Sequence, residues 1–565
     1  MTGPVVPFGD SAWLVEVDDV ETAHRLASAV EAAMAAGSAP TGTGDVVVGF
    51  HSLVVRTDPL TSQPERCQSW LAELAAADLS GSRPDDDHGA TSGRRIEVPT
   101  VFNGPDLEEV AAAAGVSTEA VVDLLTGGDL QVAFLGFSPG FSYLVGLPPA
   151  LAGIERRATP RTSVPPGSVA LAGGFAAIYP RASPGGWMLV GQTSLPLFDP
   201  EVAPYARLRS GDIVRFRAAD ETERRDGVTD APVAADAAAS PRAAARARSQ
   251  RFVEVLEPGL LTLVEDGGRS SVASIGIPDA GPADPDAMRL ANRLVGNPED
   301  AGALEVTARG PTLRFEGDAH VAVVAAASDV VDVRVDGHTA GTDSVVPVRS
   351  GQTVAIGQVR HGLRAYLAVA GGIDILPVVG SRSSDVLSGL GLGPLVMGDQ
   401  LDLGIPDHPR GLLTHSPAAL QPAAEARIRV VEGPHPLGRA NLEALCSVRW
   451  RVADASNRVG LRLSAPDTPL TPAGRILSTG TITGAIQVPP DGQPIVLMPD
   501  HATVGGYPII ACVISADLAK LGQLRGGDHL RFELVSPESA RSSLVEHERR
   551  LSGRVSGWFP AESGT

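Results

Sequence analysis

GDIVRF (Gly211–Phe216) is the first of three similar stretches, in each of which a Gly-Asp step leads into an alternating strand. The others are GDQLDL (Gly398–Leu403) and GDHLRF (Gly527–Phe532), and each closes a segment of short strands joined by Gly/Pro turns. A second turn recurs in the same order, as VPPGSVALAG (Val164–Gly173) and VPPDGQPIVLM (Val488–Met498). Two kinds of repeated stretch, which occur in the same order along the chain, predict a barrel-like β unit that is used three times.

The chain has 565 residues, too many for one hydrophobic core, and the repeated stretches divide it into six predicted segments. Residues 217–250 contain almost no large apolar side chains, so they cannot offset the entropy of ordering. The predicted segments are an N-terminal α/β domain (1–95), a first barrel (96–216), a linker (217–250), two further barrels (251–410 and 411–540) and a C-terminal tail (541–565). The predicted fold class is therefore β-rich α+β, with a small N-terminal α/β domain and three barrel units.

The composition argues against several classes of function. A formal charge of −20 disfavours nucleic-acid binding, which requires a dense cationic surface. No apolar run approaches the length of a membrane span, and the N-terminus lacks a signal-peptide pattern. Cys67, Cys446 and Cys512 are widely spaced without zinc-type pairing, so they indicate free thiols of a reducing cytoplasm. Lys520 is the only lysine, so lysine-dependent chemistry would need this residue or another chain.

Some catalytic motifs are also missing from the sequence. It has no GxxxxGK[ST] phosphate loop and no HExxH zinc motif. GFSPG (Gly136–Gly140) does not suit a nucleophile elbow, because Pro139 would disrupt the strand-to-helix turn that the elbow needs.

An anion-binding turn is predicted in the first barrel. Arg161 precedes the turn that contains Gly167 and Ser168, and guanidinium groups beside backbone N–H donors suit phosphate or carboxylate. The alternative is an ordinary hairpin turn with a solvated arginine.

A second group of candidates lies between Leu263 and Val306. Asp284 has a sufficient structural role, because it stands at the N-cap of a predicted helix that begins at Pro285. Asp266, Arg269 and Glu305 have no comparable structural reason, so they are candidates for function.

A third group of polar residues surrounds apolar strands near the C-terminus. The Gly505-Gly506-Tyr507 turn permits close approach of the backbone to a ligand, whereas a strand-end hydrogen bond is the alternative for any single residue. The candidates for binding a substrate or nucleotide are Asn457, Arg462, Gln487, Asp491, Gly505, Gly506 and Tyr507, and those for catalysis are Arg458 and Asp500.

Long stretches of these segments resemble bacterial 5-oxoprolinase. FLGF-PGF-YL, PR--VPPGSVALAG and PGGW-LVGQT---LFD are similar to its B component, also described as a sporulation-kinase inhibitor and as the first component of allophanate hydrolase. EDGGR, AMRLANRLVGN, GSRSSD, SNRVGLRL and GGYPIIACVISADL are similar to its C component. Both also resemble the carboxyltransferase domain of urea carboxylase. The chain departs from the family pattern at Glu265, usually Gln, and at Gln192, commonly Arg.

The resemblance implies cyclophilin-like barrels and a fused pair of B and C components of 5-oxoprolinase. Such an enzyme would open 5-oxoproline to glutamate with ATP, Mg²⁺ and a separate A component, and no bound biotin or zinc is expected. The expected catalytic residues are Asp266, Arg269, Arg458 and Asp500; the anion site is Arg161 with Gly167 and Ser168; and the candidate Mg²⁺ ligands are Asp266, Asp284 and Asp500. The alternatives are a carboxyltransferase component of a biotin-dependent urea system and a non-catalytic kinase regulator, and homo-oligomerisation stays open.

Overall fold

The computed structural model describes residues 2–77, 93–226, 250–327, 330–406, 425–435, 437–466, 470–471 and 474–553. Most of the predicted linker (227–249) and the end of the predicted tail (554–565) lie outside these ranges. None of the described helices combines the length and the apolar character that crossing a membrane demands.

A small α/β domain occupies the N-terminus, as predicted. Its elements are β1 (Thr2–Phe8), β2 (Ala12–Val17), α1 (Val20–Ala35), β3 (Thr43–Val48), β4 (Ser52–Thr57) and α2 (Pro64–Ala76). The sheet order is β1-β2-β4-β3. The side chain of Asp19 caps α1 by accepting a hydrogen bond from the backbone N–H of Thr22 at 2.7 Å. The apolar residues at helical spacing in α1 face the sheet, where Leu26 and Val30 are fully buried.

The first β unit is built on a seven-stranded sheet with the order β12-β9-β10-β7-β6-β13-β5. A backbone bridge between Val101 and Gln192 joins its two edges. The elements are β5 (Arg95–Thr100), α3 (Leu107–Ala114), α4 (Thr118–Thr126), β6 (Leu130–Leu135), β7 (Ser142–Val145), α5 (Pro149–Ala152), β8 (Arg161–Val164), β9 (Ser168–Ala172), β10 (Phe175–Ile178), β11 (Ser183–Gly185), β12 (Met188–Gln192) and β13 (Ile213–Ala218). A short helix, α6 (Glu221–Asp226), follows within the predicted linker.

The middle β unit consists of two sheets rather than a single closed one. Their orders are β20-β19-β22-β17-β14-β24 and β15-β16-β23-β18-β21, and they share one apolar core. The elements are β14 (Phe252–Glu257), β15 (Leu261–Glu265), α7 (Pro285–Leu294), β16 (Ala303–Thr307), β17 (Thr312–Glu316), β18 (Ala319–Ala325), β19 (Val331–Val335), β20 (His338–Ala340), β21 (Val345–Val348), β22 (Thr353–Val359), β23 (Arg364–Val369) and β24 (Gln400–Asp402). A 3₁₀ turn spans Ala273–Ile275.

The last β unit is a closed barrel of order β25-β32-β29-β30-β27-β26-β33, so the β-rich α+β fold class is confirmed. The elements are β25 (Ala426–Glu432), α8 (Arg439–Ser447), β26 (Trp450–Val452), β27 (Gly460–Ser464), β28 (Thr479–Gly480), β29 (Ala485–Gln487), β30 (Ile495–Leu497), β31 (Val504–Gly505), β32 (Ile509–Val513), α9 (Leu518–Gly522) and β33 (His529–Leu534). The final helix, α10 (Pro537–Gly553), begins before the predicted tail, and it buries Ala540, Leu544 and Leu551.

The repeated Gly-Asp step is a turn with the same geometry in all three units. Gly211, Gly398 and Gly527 have φ angles of 88°, 89° and 93°, which glycine adopts readily and other residues rarely do. In each case the following aspartate accepts a hydrogen bond from the backbone N–H three residues earlier, at 2.8–2.9 Å. The step therefore starts the closing strand of each unit and is structural rather than catalytic.

The N-terminal domain packs on the last barrel, although about 350 residues separate the end of α2 from the start of β25. One apolar core joins Phe8 and Val54 to Ile482 and Cys512. A guanidinium–carboxylate pair between Arg56 and Asp279 further ties this domain to the middle unit.

Candidate functional site

The first, middle and last β units meet at one junction. The loop Gly136–Gly140 lies against the 3₁₀ turn of the middle unit, where the backbone N–H of Gly140 donates to the carbonyl of Ile275 at 3.0 Å. A Cβ atom on Gly136 would stand 2.0 Å from Cγ2 of Val504, and one on Gly276 would stand 2.7 Å from the carbonyl oxygen of Ser138. Glycine at both positions allows the backbones to approach this closely.

A buried arginine, Arg458, gathers three carboxylates at this junction. Its Nη1 donates to Glu305 Oε1 at 2.7 Å, and its Nε and Nη2 donate to the carboxylate of Asp500 at 3.0 and 2.8 Å. Its Nη2 also donates to the carbonyl of Gly281 at 2.6 Å and lies 3.4 Å from Glu265 Oε1. Because Glu265 and Glu305 belong to the middle unit, this cluster joins two β units through buried charge.

Burial and neighbouring charges act in opposite directions on two carboxyl groups of this cluster. Burial alone would raise the pKa of Glu305, but the charges of Arg458 and Arg364, with hydrogen bonds from Tyr366 and Ala283, lower it to about 2. Burial raises the pKa of Glu265 well above its usual value, despite the opposing charge of Arg458, and the carboxylates of Glu305 and Asp500 raise it further. Burial and the two neighbouring carboxylates therefore favour the neutral form of Glu265.

A loop of the middle unit, residues 378–388, lies next to this cluster. Asp266 holds it through both carboxylate oxygens, which accept hydrogen bonds from the hydroxyl groups of Ser381 and Ser383 and from the backbone N–H of Arg382. Asp500 accepts a further bond from the backbone N–H of Val386 at 3.1 Å. Two of the predicted catalytic residues therefore shape this loop.

Asp385 is the titratable group of this loop. Its Oδ1 accepts hydrogen bonds from the backbone N–H groups of Leu387 and Ser388, and its Oδ2 accepts one from the Ser388 hydroxyl. Burial, together with the charge of Asp500, raises the pKa of Asp385 to about 6, against the lowering effects of Ser388 and Arg269. A carboxyl group with this pKa can accept or donate a proton near neutral pH.

Buried polar atoms without a hydrogen-bond partner concentrate at the junction. Within the described residues these atoms include Oγ of Ser138, both carboxyl oxygens of Glu265, Nη1 of Arg269, Oγ of Ser384 and Oγ1 of Thr503. Each of these five residues is more than nine-tenths buried. Since a buried polar group usually finds a partner, these atoms make the junction the candidate functional site.

Comparisons with known proteins assign both halves of the chain. Residues 4–208 match the carboxyltransferase domain, subdomain C and D, and residues 275–534 match the carboxyltransferase domain, subdomain A and B. The C component of 5-oxoprolinase from Escherichia coli is 38% identical over 303 residues, which cover 53% of this chain and 96% of that protein. The B component of 5-oxoprolinase from Haemophilus influenzae is 39% identical over 181 residues, 30% of this chain and 78% of that protein.

The chain belongs to the carboxyltransferase-domain family that includes the B and C components of 5-oxoprolinase. The crystal structure of TTHA0988 resembles it with a TM-score of 0.78 and 33% identity, covering 94% of this chain and all of that one. Urea amidolyase of Saccharomyces cerevisiae is 33% identical over 314 residues, which are 51% of this chain but 17% of that protein.

In this member of the family, the four predicted catalytic residues converge. Asp266, Arg269, Arg458 and Asp500 all lie at the junction, and Glu305 lies with them. Asp385 and Glu265 were not predicted as site residues. The signal for Asp385 was its place in GSRSSD, one of the stretches similar to the C component.

The predicted anion site in the first barrel has internal partners. Nη2 of Arg161 donates to Asp106 at 2.7 Å, while its Nη1 has no hydrogen-bond partner within the described residues. A Cβ atom on Gly167 would stand 2.1 Å from the carbonyl oxygen of Thr193, so this glycine permits close packing of strands. The hydroxyl group of Ser168 donates to the carbonyl of Pro165 at 2.8 Å. Anion binding at this turn stays a prediction.

The predicted binding residues of the third group do not hydrogen-bond to the Arg458 side chain within the described residues. The side-chain oxygen of Asn457 accepts hydrogen bonds from the N–H groups of Val459 and Gly460, as turn residues do. Arg462 and Asp491 are exposed. In contrast, the side chain of Gln487 lies beside Gly505. Tyr507 packs under Arg475, with 5.9 Å between the guanidinium carbon and the ring centre. The carbonyl group of Gly506 accepts a hydrogen bond from the backbone N–H of Ile476. These four residues form a separate group.

The carboxylates considered for Mg²⁺ already have partners. Asp284 caps α7 by accepting from the N–H of Ala287 at 3.0 Å, and its other oxygen accepts from Gln523 at 2.6 Å. Both oxygens of Asp266 and of Asp500 also accept hydrogen bonds. Across the described ranges, no group of three or more His, Cys, Asp or Glu side chains could hold a metal ion. These residues therefore do not fit Mg²⁺ in the present arrangement.

Proposed function

We propose that this chain supplies both the B-type and the C-type component of an ATP-dependent 5-oxoprolinase. It would open 5-oxoproline to glutamate in the cytoplasm, together with a separate A-type component. The observation that carries the proposal is the junction, where residues of both family halves enclose buried polar atoms that lack partners among the described residues. Relatives of each half are named as parts of this one enzyme.

The chemistry of the proposed reaction needs a donor for the lactam carbonyl and a carrier for a proton. Amide resonance leaves the carbonyl carbon of a five-membered lactam weakly electrophilic, and ATP would activate the amide oxygen by phosphorylation. Attack by water would then break the C–N bond and leave an acyl phosphate, from which a second water would release inorganic phosphate to give glutamate. No Mg²⁺ step is assigned to this chain, because its candidate carboxylates are occupied. The hydroxyl groups of Ser138 and Thr503 offer buried donors at the junction, and Asp385 would accept a proton from the attacking water and return it to the leaving nitrogen.

The direct test combines the purified chain with an A-type component, ATP, Mg²⁺ and 5-oxoproline. We expect glutamate and ADP to form together, and ADP release to depend on 5-oxoproline. An Asp385→Asn variant should lose at least about a hundredfold in kcat, within the usual contribution of a positioned acid–base group. Absence of substrate-dependent ADP release from the complete mixture would reject the proposal.

A second candidate is a carboxyltransferase component of a urea-related system. The family models for both halves and the similarity to urea amidolyase favour it. Such a component would move a carboxyl group from carboxybiotin, carried by another protein, to urea. Incubation with a carboxylated biotin carrier and labelled urea separates the candidates, since an oxoprolinase component should leave the label in urea unchanged.

A further inference from the structure

Arg269 is a buried arginine whose hydrogen bonds within the described residues go to carbonyl groups. Its neighbours at the junction, Arg458 and Arg364, donate to Glu305 at 2.7 and 2.9 Å. Arg269, which is only 3% exposed, donates instead to backbone carbonyls, from Nε to Val378 at 3.2 Å and from Nη2 to Ser383 at 2.6 Å. Its Nη1 has no partner within the described ranges. Burial lowers the pKa of Arg269, although the charges of Asp385, Glu265, Asp266 and Asp500 oppose this effect.

Arg181 approaches the same loop from the other half of the chain. Its Nη2 donates to the carbonyl of Leu387, while its buried Nε has no partner in the described part of the chain. Its described hydrogen bond also goes to a carbonyl rather than to a carboxylate. Burial lowers the pKa of Arg181, although the charge of Asp385 opposes this effect. The loop from Ser383 to Leu387 is therefore held at each end by a guanidinium group with a free N–H.

The residues between these two contacts complete the arrangement. Ser384 is fully buried, and its hydroxyl group has no hydrogen-bond partner in the described ranges. The carboxylate of Asp385 accepts from its own loop at Leu387 and Ser388. Nη1 of Arg269, Nε of Arg181 and Oγ of Ser384 are thus three donors without a partner among the described residues. Two of them belong to guanidinium groups, and this combination suits the two oxygens of a carboxylate.

We propose that Arg269, Arg181 and the hydroxyl group of Ser384 form a subsite for the carboxylate group of the substrate. This inference rests on the proposed function, in which that group is the carboxylate of 5-oxoproline. Because Arg181 belongs to the B-type half and Arg269 to the C-type half, the subsite is complete only when both halves are present. Urea lacks a carboxylate and would leave the subsite unfilled.

The test is a titration of the full chain with 5-oxoproline and with 2-pyrrolidinone, the same lactam ring without the carboxylate. We expect Arg269→Met and Arg181→Met each to weaken 5-oxoproline binding by at least about tenfold, as expected for a charge-assisted hydrogen bond. Both variants should bind 2-pyrrolidinone as the wild type does. Arg334→Met is the matched control, because it removes an exposed arginine that pairs with Asp332. Arg269→Lys is a further variant that keeps a positive charge in the core.

The outcomes separate this subsite from the proposed function. Turnover of 5-oxoproline by the wild type with unchanged affinity in both methionine variants would overturn the subsite and leave the function standing. Wild-type binding of 2-pyrrolidinone as tight as that of 5-oxoproline would also overturn it. Carboxylate binding that needs both arginines, in a chain without 5-oxoproline turnover, would support the subsite and reject the function. Arg181 is only partly buried, so its variant tests the proposal even if Arg269→Met fails to fold.

Discussion

Glu265 is a carboxyl group in a place that suits a neutral side chain. It is fully buried, and burial together with the carboxylates of Glu305 and Asp500 raises its pKa, against the opposing charge of Arg458. In the unfolded chain this group ionises near its ordinary pKa of about 4.3, so folding above that pH requires proton uptake. The stability that the protonated form contributes is complete below the unfolded pKa and is lost as the pH rises through the folded pKa.

Glu265→Gln should remove this pH dependence, because glutamine is neutral at every pH. We expect the variant and the wild type to unfold at similar temperatures near pH 5, and the variant to gain relative stability by pH 8. Thermal unfolding at both pH values measures the difference, with exposed Glu16→Gln as a control. A constant difference between variant and wild type across this range would show that Glu265 keeps its charge.

Arg458 and Arg462 allow a matched comparison, since they stand four residues apart in very different surroundings. Arg458→Met would leave the buried carboxylates of Glu305 and Asp500 without their shared cation, at a loss of about 3–5 kcal/mol in the free energy of unfolding. Arg462 is exposed, so Arg462→Met should change stability by less than about 0.5 kcal/mol. Urea unfolding compares the two midpoints, and similar values would contradict the role given to the Arg458 cluster.

The sequence could predict these residues individually, but not their shared location. Asp266 and Arg269 lack a local structural reason, and Arg458 and Asp500 belong to a dense group of polar residues around apolar strands. Their hydrogen bonds join positions up to 177 residues apart, as between Arg458 and Gly281, and no local pattern encodes such a distance. Asp385 was missed as a site residue for the same reason, because its pKa depends on burial and on Asp500.

At the scale of elements, the turns and helix caps were predictable because their causes are local. Asp284 caps the helix that starts at Pro285, as its position before the apolar pattern indicated. The three Gly-Asp steps all begin a closing strand. β13 and β33 each pair in parallel with the first strand of their own unit, whereas β24 pairs antiparallel with β14. The repeated Gly-Asp stretch therefore indicates a common turn, whereas the pairing of the strand that follows it is different in the middle unit.

The close contact between the loop Gly136–Gly140 and β31 allows the packing at the junction to be tested by substitution. A Cβ atom on Gly136 would overlap the side chain of Val504, so Gly136→Ala should destabilise the packed halves by about 1–3 kcal/mol. Val504→Ala removes both Cγ atoms, and the double variant should recover most of the loss. A thermal-shift series of the four proteins measures the coupling, and strictly additive effects would show that the two residues do not compete for space.

For the whole molecule, the sequence predicted separate units but not how they associate. The N-terminal domain buries Phe8 and Val54 in a core that it shares with Ile482 and Cys512 of the last barrel. Alternating apolar residues indicate only that a sheet has a buried face, and they do not identify which element covers it. The two halves are thus one interlocked body, although relatives of each half are named as separate components.

This packing predicts that the linker is dispensable for association. Residues 1–226 and 250–565, produced as two chains, should co-purify and regain the activity of the intact protein, because the shared apolar core and the Arg56–Asp279 pair hold the halves together. Ile482→Arg would place a charge within that core and should weaken association by at least about thirtyfold, or about 2 kcal/mol. Leu260→Arg, at a position that is 69% exposed, is the control. Calorimetry of the separate chains measures the affinity of each variant. If the halves fail to associate without the linker, then the linker, rather than this interface, holds the two halves together at the junction.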